Sequence, residues 1–240
     1  MKRAAGTVSM VLLWAVGCSS PAPSPDAVAQ GQALFSSRDL SPAARNVFSC
    51  AVCHDVNPTA AAGAIKTGAP LAGATLRPAF WAGEENDLLA AINACRGQFM
   101  LATEPLAAEA PEARALYAFL LDLEPGDPNP ASFTMVRTIE DLPRGNASAG
   151  AFLYARTCAA CHGKPHTGIG WIAPRVPLLP DDTLRAHADY DARSQRLVFI
   201  EKIRHGGFLG YGGDMPPFSA ERLSDADVAD ILEALGVLGG

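Results

Sequence analysis

Cys50-Ala51-Val52-Cys53-His54 and, 108 residues later, Cys158-Ala159-Ala160-Cys161-His162 are the stretches on which the reading of this chain turns. Two thiols at this spacing reach both vinyl groups of one porphyrin, and the next residue offers an imidazole to its iron, so each run reads as a c-type haem attachment site. Zinc would need ligands pooled from pairs lying more than 100 residues apart in the chain. A thioredoxin-like redox pair would want a βαβ context, and structural disulfides would not require a histidine after each pair.

The flanks of the two runs match feature by feature. Gly31 and Phe35 precede the first, which is followed by "GAPLAG" (68–73), a helical stretch around Leu88 to Ile92, Met100 and "EARALYAFLLDL". Gly150 and Tyr154 precede the second, which is followed by "APRVP" (173–177), "RLVFIEKI", Met215 and "SDADVADILEAL". Leu116, Phe119, Leu120 and Leu123 share one helical face. Val228, Ile231, Leu232 and Leu235 share another, behind a capping pair, Ser224 and Asp227. No alternating apolar run is long enough for a sheet. The expectation is an all-α protein of two tandem domains, residues 27–124 and 146–240, joined by a Pro/Gly-rich linker over 125–145.

Upstream, Lys2 and Arg3, an apolar run from Val8 to Val16 and Gly17-Cys18 read as an export signal over residues 1–17. The run is too short to span a bilayer comfortably. A Pro/Ser/Ala tether over 18–26 follows. These features resemble a bacterial lipoprotein signal, implying a lipidated Cys18 and a periplasmic, membrane-anchored protein, although Ala15 stands where such signals prefer Leu. Without Lys2 and Arg3, 17 of the 19 basic side chains face 25 acidic ones, a formal charge of −8. That balance gives no basic stripe for nucleic acid and suits docking to a basic partner.

Over nearly all of the chain after the export segment, this ordered set of features resembles the cytochrome c family. The resemblance implies two covalent haem c groups, held by Cys50, Cys53 and His54 and by Cys158, Cys161 and His162. It implies one-electron exchange with protein partners such as an oxidase, reductase or dehydrogenase. It further implies that Gly31 with Phe35 and Gly150 with Tyr154 allow close helix crossings, and that the carbonyls of Pro70 and Pro174 accept the histidine ring N–H groups. Met215, in "GYGGDMPPF", is similar to the family's distal methionine, with His205 as second choice.

For the first haem, two sulfurs compete as distal ligand. Met100 precedes the last helix of its copy, as Met215 does in the second. Cys95 has no evident disulfide partner. The pattern "INACRGQFM" (92–100) also resembles the dihaem thiosulfate dehydrogenases and the A subunit of the sulfur-oxidising complex. That resemblance implies a Cys95 thiolate on the iron and a small sulfur anion as substrate, with Arg77 and Arg96 as candidates to hold it. Electron carrier and sulfur-compound oxidoreductase both remain open, the carrier being preferred.

Overall fold

The computed structural model describes residues 22–56, 63–123, 132–210 and 212–238. The expected export signal, residues 18–21 of the tether and residues 125–131 at the start of the linker therefore lie outside the described residues. The helices are α1 (Pro25–Ser36), α2 (Cys50–Cys53), α3 (Leu88–Gln98), α4 (Pro111–Asp122), α5 (Ala147–Thr157), α6 (Ala159–His162), α7 (Asp181–Ala186), α8 (Ala192–Leu209) and α9 (Asp225–Ala234). Among the described residues no strand forms, and Phe80 and Glu85 make an isolated antiparallel bridge. The all-α expectation holds. No helix among the described residues is long and apolar enough to cross a membrane.

Helix starts follow capping chemistry. Ser24 accepts from the Ala27 N–H ahead of Pro25, so α1 begins inside the stretch expected to be tether. Asp87 caps α3 and Asn146 caps α5 in the same way. Ser224 and Asp227 form the reciprocal capping box of α9 that their spacing predicts.

Two apolar clusters organise the chain. One gathers Phe35, Phe48, Phe99, Met100, Leu116 and Phe119; the other gathers Tyr154, Phe199, Ile203, Val228, Ile231 and Leu232. In each, the first and last helices cross where a glycine removes the side chain. A Cβ on Gly31 would lie 2.0 Å from the Ala115 carbonyl oxygen of α4, and one on Gly150 would lie 1.8 Å from that of Asp230 in α9. Phe35 meets Phe119 beside the first crossing, at 5.4 Å between ring centroids.

Residues 132–145 differ from a loose linker. Met135 is buried. Asp141 pairs with Arg196, a side chain 1 % exposed in α8 that also donates to the carbonyls of Leu142, Pro143 and Val237. A buried guanidinium needs that many acceptors, and this one finds them by drawing the strap onto the second cluster. Between the clusters, Trp81 stacks on Phe99 and on Phe208 of α8, with centroids 6.0 and 4.9 Å apart. Gln98 Nε2 donates to the Gly207 carbonyl at 2.8 Å.

Candidate haem centres

The first cysteine pair sits on the single turn of α2, with His54 immediately after it. Gly68 lies against the His54 ring, where any Cβ would come within 2.4 Å of ring atoms. The ring is held from one side: His54 Nδ1 and the Ala69 carbonyl are 2.8 Å apart. A carbonyl can only accept, so it fixes the proton on Nδ1 and leaves the Nε2 lone pair for a metal. Burial pulls the His54 pKa below its usual value, which favours the neutral ring a metal requires. The second centre repeats this arrangement. His162, 8 % exposed, places Nδ1 2.9 Å from the Pro177 carbonyl. In both centres the acceptor lies 15 residues after the histidine.

Here the family-implied partners are corrected. The Pro70 carbonyl accepts from Arg77 rather than from His54, and Pro177 takes the place expected for Pro174. The chain reaches each ring one to three residues away from the proline singled out in the sequence, because the acceptor is chosen by where the loop passes the ring. His205 is also removed as a distal candidate, since its Nδ1 faces Glu201 at 3.3 Å and its Nε2 lies 2.8 Å from the Val136 carbonyl.

A cavity of about 490 Å³ opens over α2, lined by Cys50, Cys53, His54, Cys95 and Met100 among mostly apolar neighbours. Size and lining suit a large planar apolar cofactor with one polar edge. Burial pushes the Cys50 thiol up to about 11. It pushes Cys53 up to about 12, with Thr67 opposing and the Cys161 and Cys50 thiols adding to the rise. Cys161 also packs against the first cluster, so the two attachment motifs approach each other. The cavity thus brings Cys95 and Met100 together with the first motif. Burial raises the Cys95 thiol well above its usual range, whereas the thioether of Met100, 2 % exposed, has no proton to lose.

Arg96 and Arg77 border the same cavity, but both are engaged with the fold. Arg96, 7 % exposed, donates to the carbonyls of Leu40 and Glu104 and to the Asn93 side chain. Arg77 donates to the carbonyls of Pro70 and Ala72. Arg96 is an internal strut rather than a solvated surface arginine.

At the second centre Met215 packs beside the second cluster, and its carbonyl accepts from the Gly207 N–H at 2.6 Å. Gly206, at φ +54°, kinks α8 to admit this segment, and a Cβ there would lie 2.2 Å from the Met215 oxygen. Pro216 and Pro217, next along the chain, line the first cavity. Sequence reasoning missed these two prolines, Phe133 and Trp81 as cavity walls, and Arg175 with Asp214 beside Met215. Phe133 and Trp81 belong to no quoted stretch, and the others lie within "APRVP" and "GYGGDMPPF", where the sequence does not give their partners.

A model of the family described as cytochrome C oxidase, cbb3-type, subunit III, matches residues 145–233. Among solved structures, the thiosulfate dehydrogenase (TsdBA) of Marichromatium purpuratum in its as-isolated form aligns with 92 % of this chain and 49 % of its own, at 17 % identity and a TM-score of 0.42. The chain spans about half the length of that protein, and so distant a likeness says nothing of substrate. No curated protein matches the chain. Residues 145–233 are therefore similar to a c-type cytochrome domain, and that likeness implies a covalently held haem c and electron transfer.

Proposed function

We propose that the protein is an exported dihaem c-type cytochrome that passes single electrons between protein partners, with one haem in each of two tandem domains. The observation that carries the reading is the repeated histidine geometry. His54 and His162 each follow a C-x-x-C pair, each has Nδ1 on a carbonyl 15 residues on, and each is thereby left with Nε2 for iron. The haem supplies the redox chemistry when bound. Cys50 and Cys53, like Cys158 and Cys161, would tether it, His54 and His162 would each offer Nε2 to the iron, and the apolar lining of the first cavity would keep water from the first haem. Met215 would supply a thioether ligand to the second haem. A lipid on Cys18 would hold the protein at a periplasmic membrane face, with the tether giving it reach.

Denaturing haem stain with iron quantitation tests the reading. Wild type should carry two covalent haems per chain, and the double variants Cys50→Ala/Cys53→Ala and Cys158→Ala/Cys161→Ala should each lose one. Full covalent retention in both variants would refute the attachment assignment.

A second reading, a thiosulfate dehydrogenase-like oxidoreductase acting on a small sulfur anion, is favoured by the presence of Cys95 in the cavity of His54. It has less support from the arginines, since Arg77 Nη2 donates to backbone carbonyls and Arg96 Nε and Nη1 donate to backbone carbonyls and the Asn93 side chain. Low-temperature EPR of the oxidised protein separates the readings. A thiolate signature lost in Cys95→Ala makes Cys95 the distal ligand and thiosulfate the substrate to assay. Two His/Met signatures that survive the substitution give the position to Met100 and leave a plain carrier.

A further inference from the structure

Arg175 stands in "APRVP" (173–177), the segment whose Pro177 carbonyl orients His162. Its Nη1 pairs with the Asp214 carboxylate, next in the chain to Met215. Its Nε and Nη2 atoms are both buried and have no hydrogen-bond partner among the described residues. These two nitrogens are no random pair. Nε–H and one Nη2–H project side by side from the same edge of the guanidinium, the edge that grips the two oxygens of a carboxylate. A half-buried guanidinium whose one edge is buried and unsatisfied is costly, and its carboxylate partner Asp214 is held at the opposite nitrogen. The arrangement is complete when an anion with two parallel oxygens sits on the free edge. A haem carries two such groups, its propionates.

Building on the reading that Cys158, Cys161 and His162 hold a haem, we propose that Arg175 binds a propionate of that haem through Nε and Nη2. Through Asp214 it ties the anion to the Met215 segment. Arg175 is then a cofactor-binding residue and also a positioning residue for the distal methionine. A small free oxyanion such as inorganic phosphate presents the same pair of oxygens, so the test must distinguish the two sources.

The experiment uses the full-length, haem-loaded protein, with the propionate carboxylates carbon-13-labelled by growth on labelled 5-aminolevulinate. Infrared spectra in wild type, Arg175→Gln and Arg175→Lys should show one carboxylate band that moves in Arg175→Gln. In Arg175→Lys, which keeps the charge but not the fork, the band should move partway. Potentiometric titration should show the second haem's midpoint falling in Arg175→Gln, since loss of a nearby cation favours the oxidised iron, while the first haem's stays put. Asp214→Asn should weaken the methionine-to-iron charge-transfer band and leave the carboxylate band of the Arg175 pair in place.

Should Arg175→Gln fail to fold, Arg175→Lys and wild type still decide the matter, because an unmoved carboxylate band in the lysine variant overturns the propionate contact. A wild-type potential that responds to millimolar inorganic phosphate, with the response lost on substituting Arg175, assigns the edge to a free anion and overturns it too. A charge-transfer band unchanged in Asp214→Asn removes the tie to Met215. Absence of haem from Cys158 and Cys161 in the denaturing stain removes this inference together with the reading beneath it, whereas unmoved bands with the haem present remove the inference alone.

Discussion

At the scale of single residues, the chemistry lies in which atom of each side chain is left over. His54 and His162 spend Nδ1 on a carbonyl and keep Nε2, while His205 spends both nitrogens and drops out. The same accounting favours Met215 as a ligand. Its carbonyl is pinned by the Gly207 N–H, which places the backbone of the segment, and the thioether, which needs no hydrogen bond, is the atom it would offer to iron. Met215→Ala in the haem-loaded protein should lower the second haem's reduction potential by on the order of 100 mV, within the roughly 0.8 V that axial ligands span. Exchanging a soft thioether for water or a nitrogen ligand removes the preference for ferrous iron. A redox titration superimposable on wild type would withdraw Met215 from the site.

At the scale of elements, the helix crossings decide whether the site has walls. α5 meets α9 at Gly150 with the Asp230 carbonyl where a side chain would stand. Gly150→Ala should gain about 1 kcal/mol in helix propensity. It should lose more, because the new methyl meets backbone that cannot rotate away, and overpacking of this kind costs about 1–3 kcal/mol. Urea unfolding should show the variant less stable than wild type; a gain in stability would mean that the helices separate freely. α8 behaves differently, since its kink at Gly206 makes room for the Met215 segment and also gives the Gly207 carbonyl to Gln98 of α3.

At the scale of the molecule, the two clusters are joined by contacts that also border the sites. The Phe99–Trp81–Phe208 stack runs from the first cavity to α8, and Pro216 and Pro217 next to Met215 wall that cavity. The strap over 132–145 adds a charged fastening, with the Glu221 carboxylate accepting from the Thr134 N–H and hydroxyl. Partial burial opposes the charge, but those hydrogen bonds outweigh it and hold the Glu221 pKa down at about 2, from 4.5. A carboxyl depressed on folding stabilises above its unfolded pKa and loses that contribution as pH falls through the folded one. Wild type should therefore exceed Glu221→Gln in stability above about pH 4.5, and the gap should close toward pH 2. Urea unfolding across that range checks it, and a gap independent of pH would deny Glu221 its charged role in the strap.

How much of this was legible in the sequence follows from the range over which each constraint acts. The attachment motifs, the capping box of Ser224 with Asp227, the glycine and aromatic pairs and the apolar faces of α4 and α9 are local patterns. Covalent reach and helical period impose fixed spacings on them, so the sequence by itself determined an all-α chain with two candidate haem sites. The tertiary structure decided what depends on where distant segments pass one another. Ala69 and Pro177 are the ring acceptors because their loops run beside the imidazoles, and Arg96 is a strut because Leu40 and Glu104 converge on it. Gln98 and Gly207 meet across 109 residues, and Arg175 and Asp214 across 39. No spacing rule encodes such pairs, since burial leaves each polar group to take whichever partner the packed chain brings within reach.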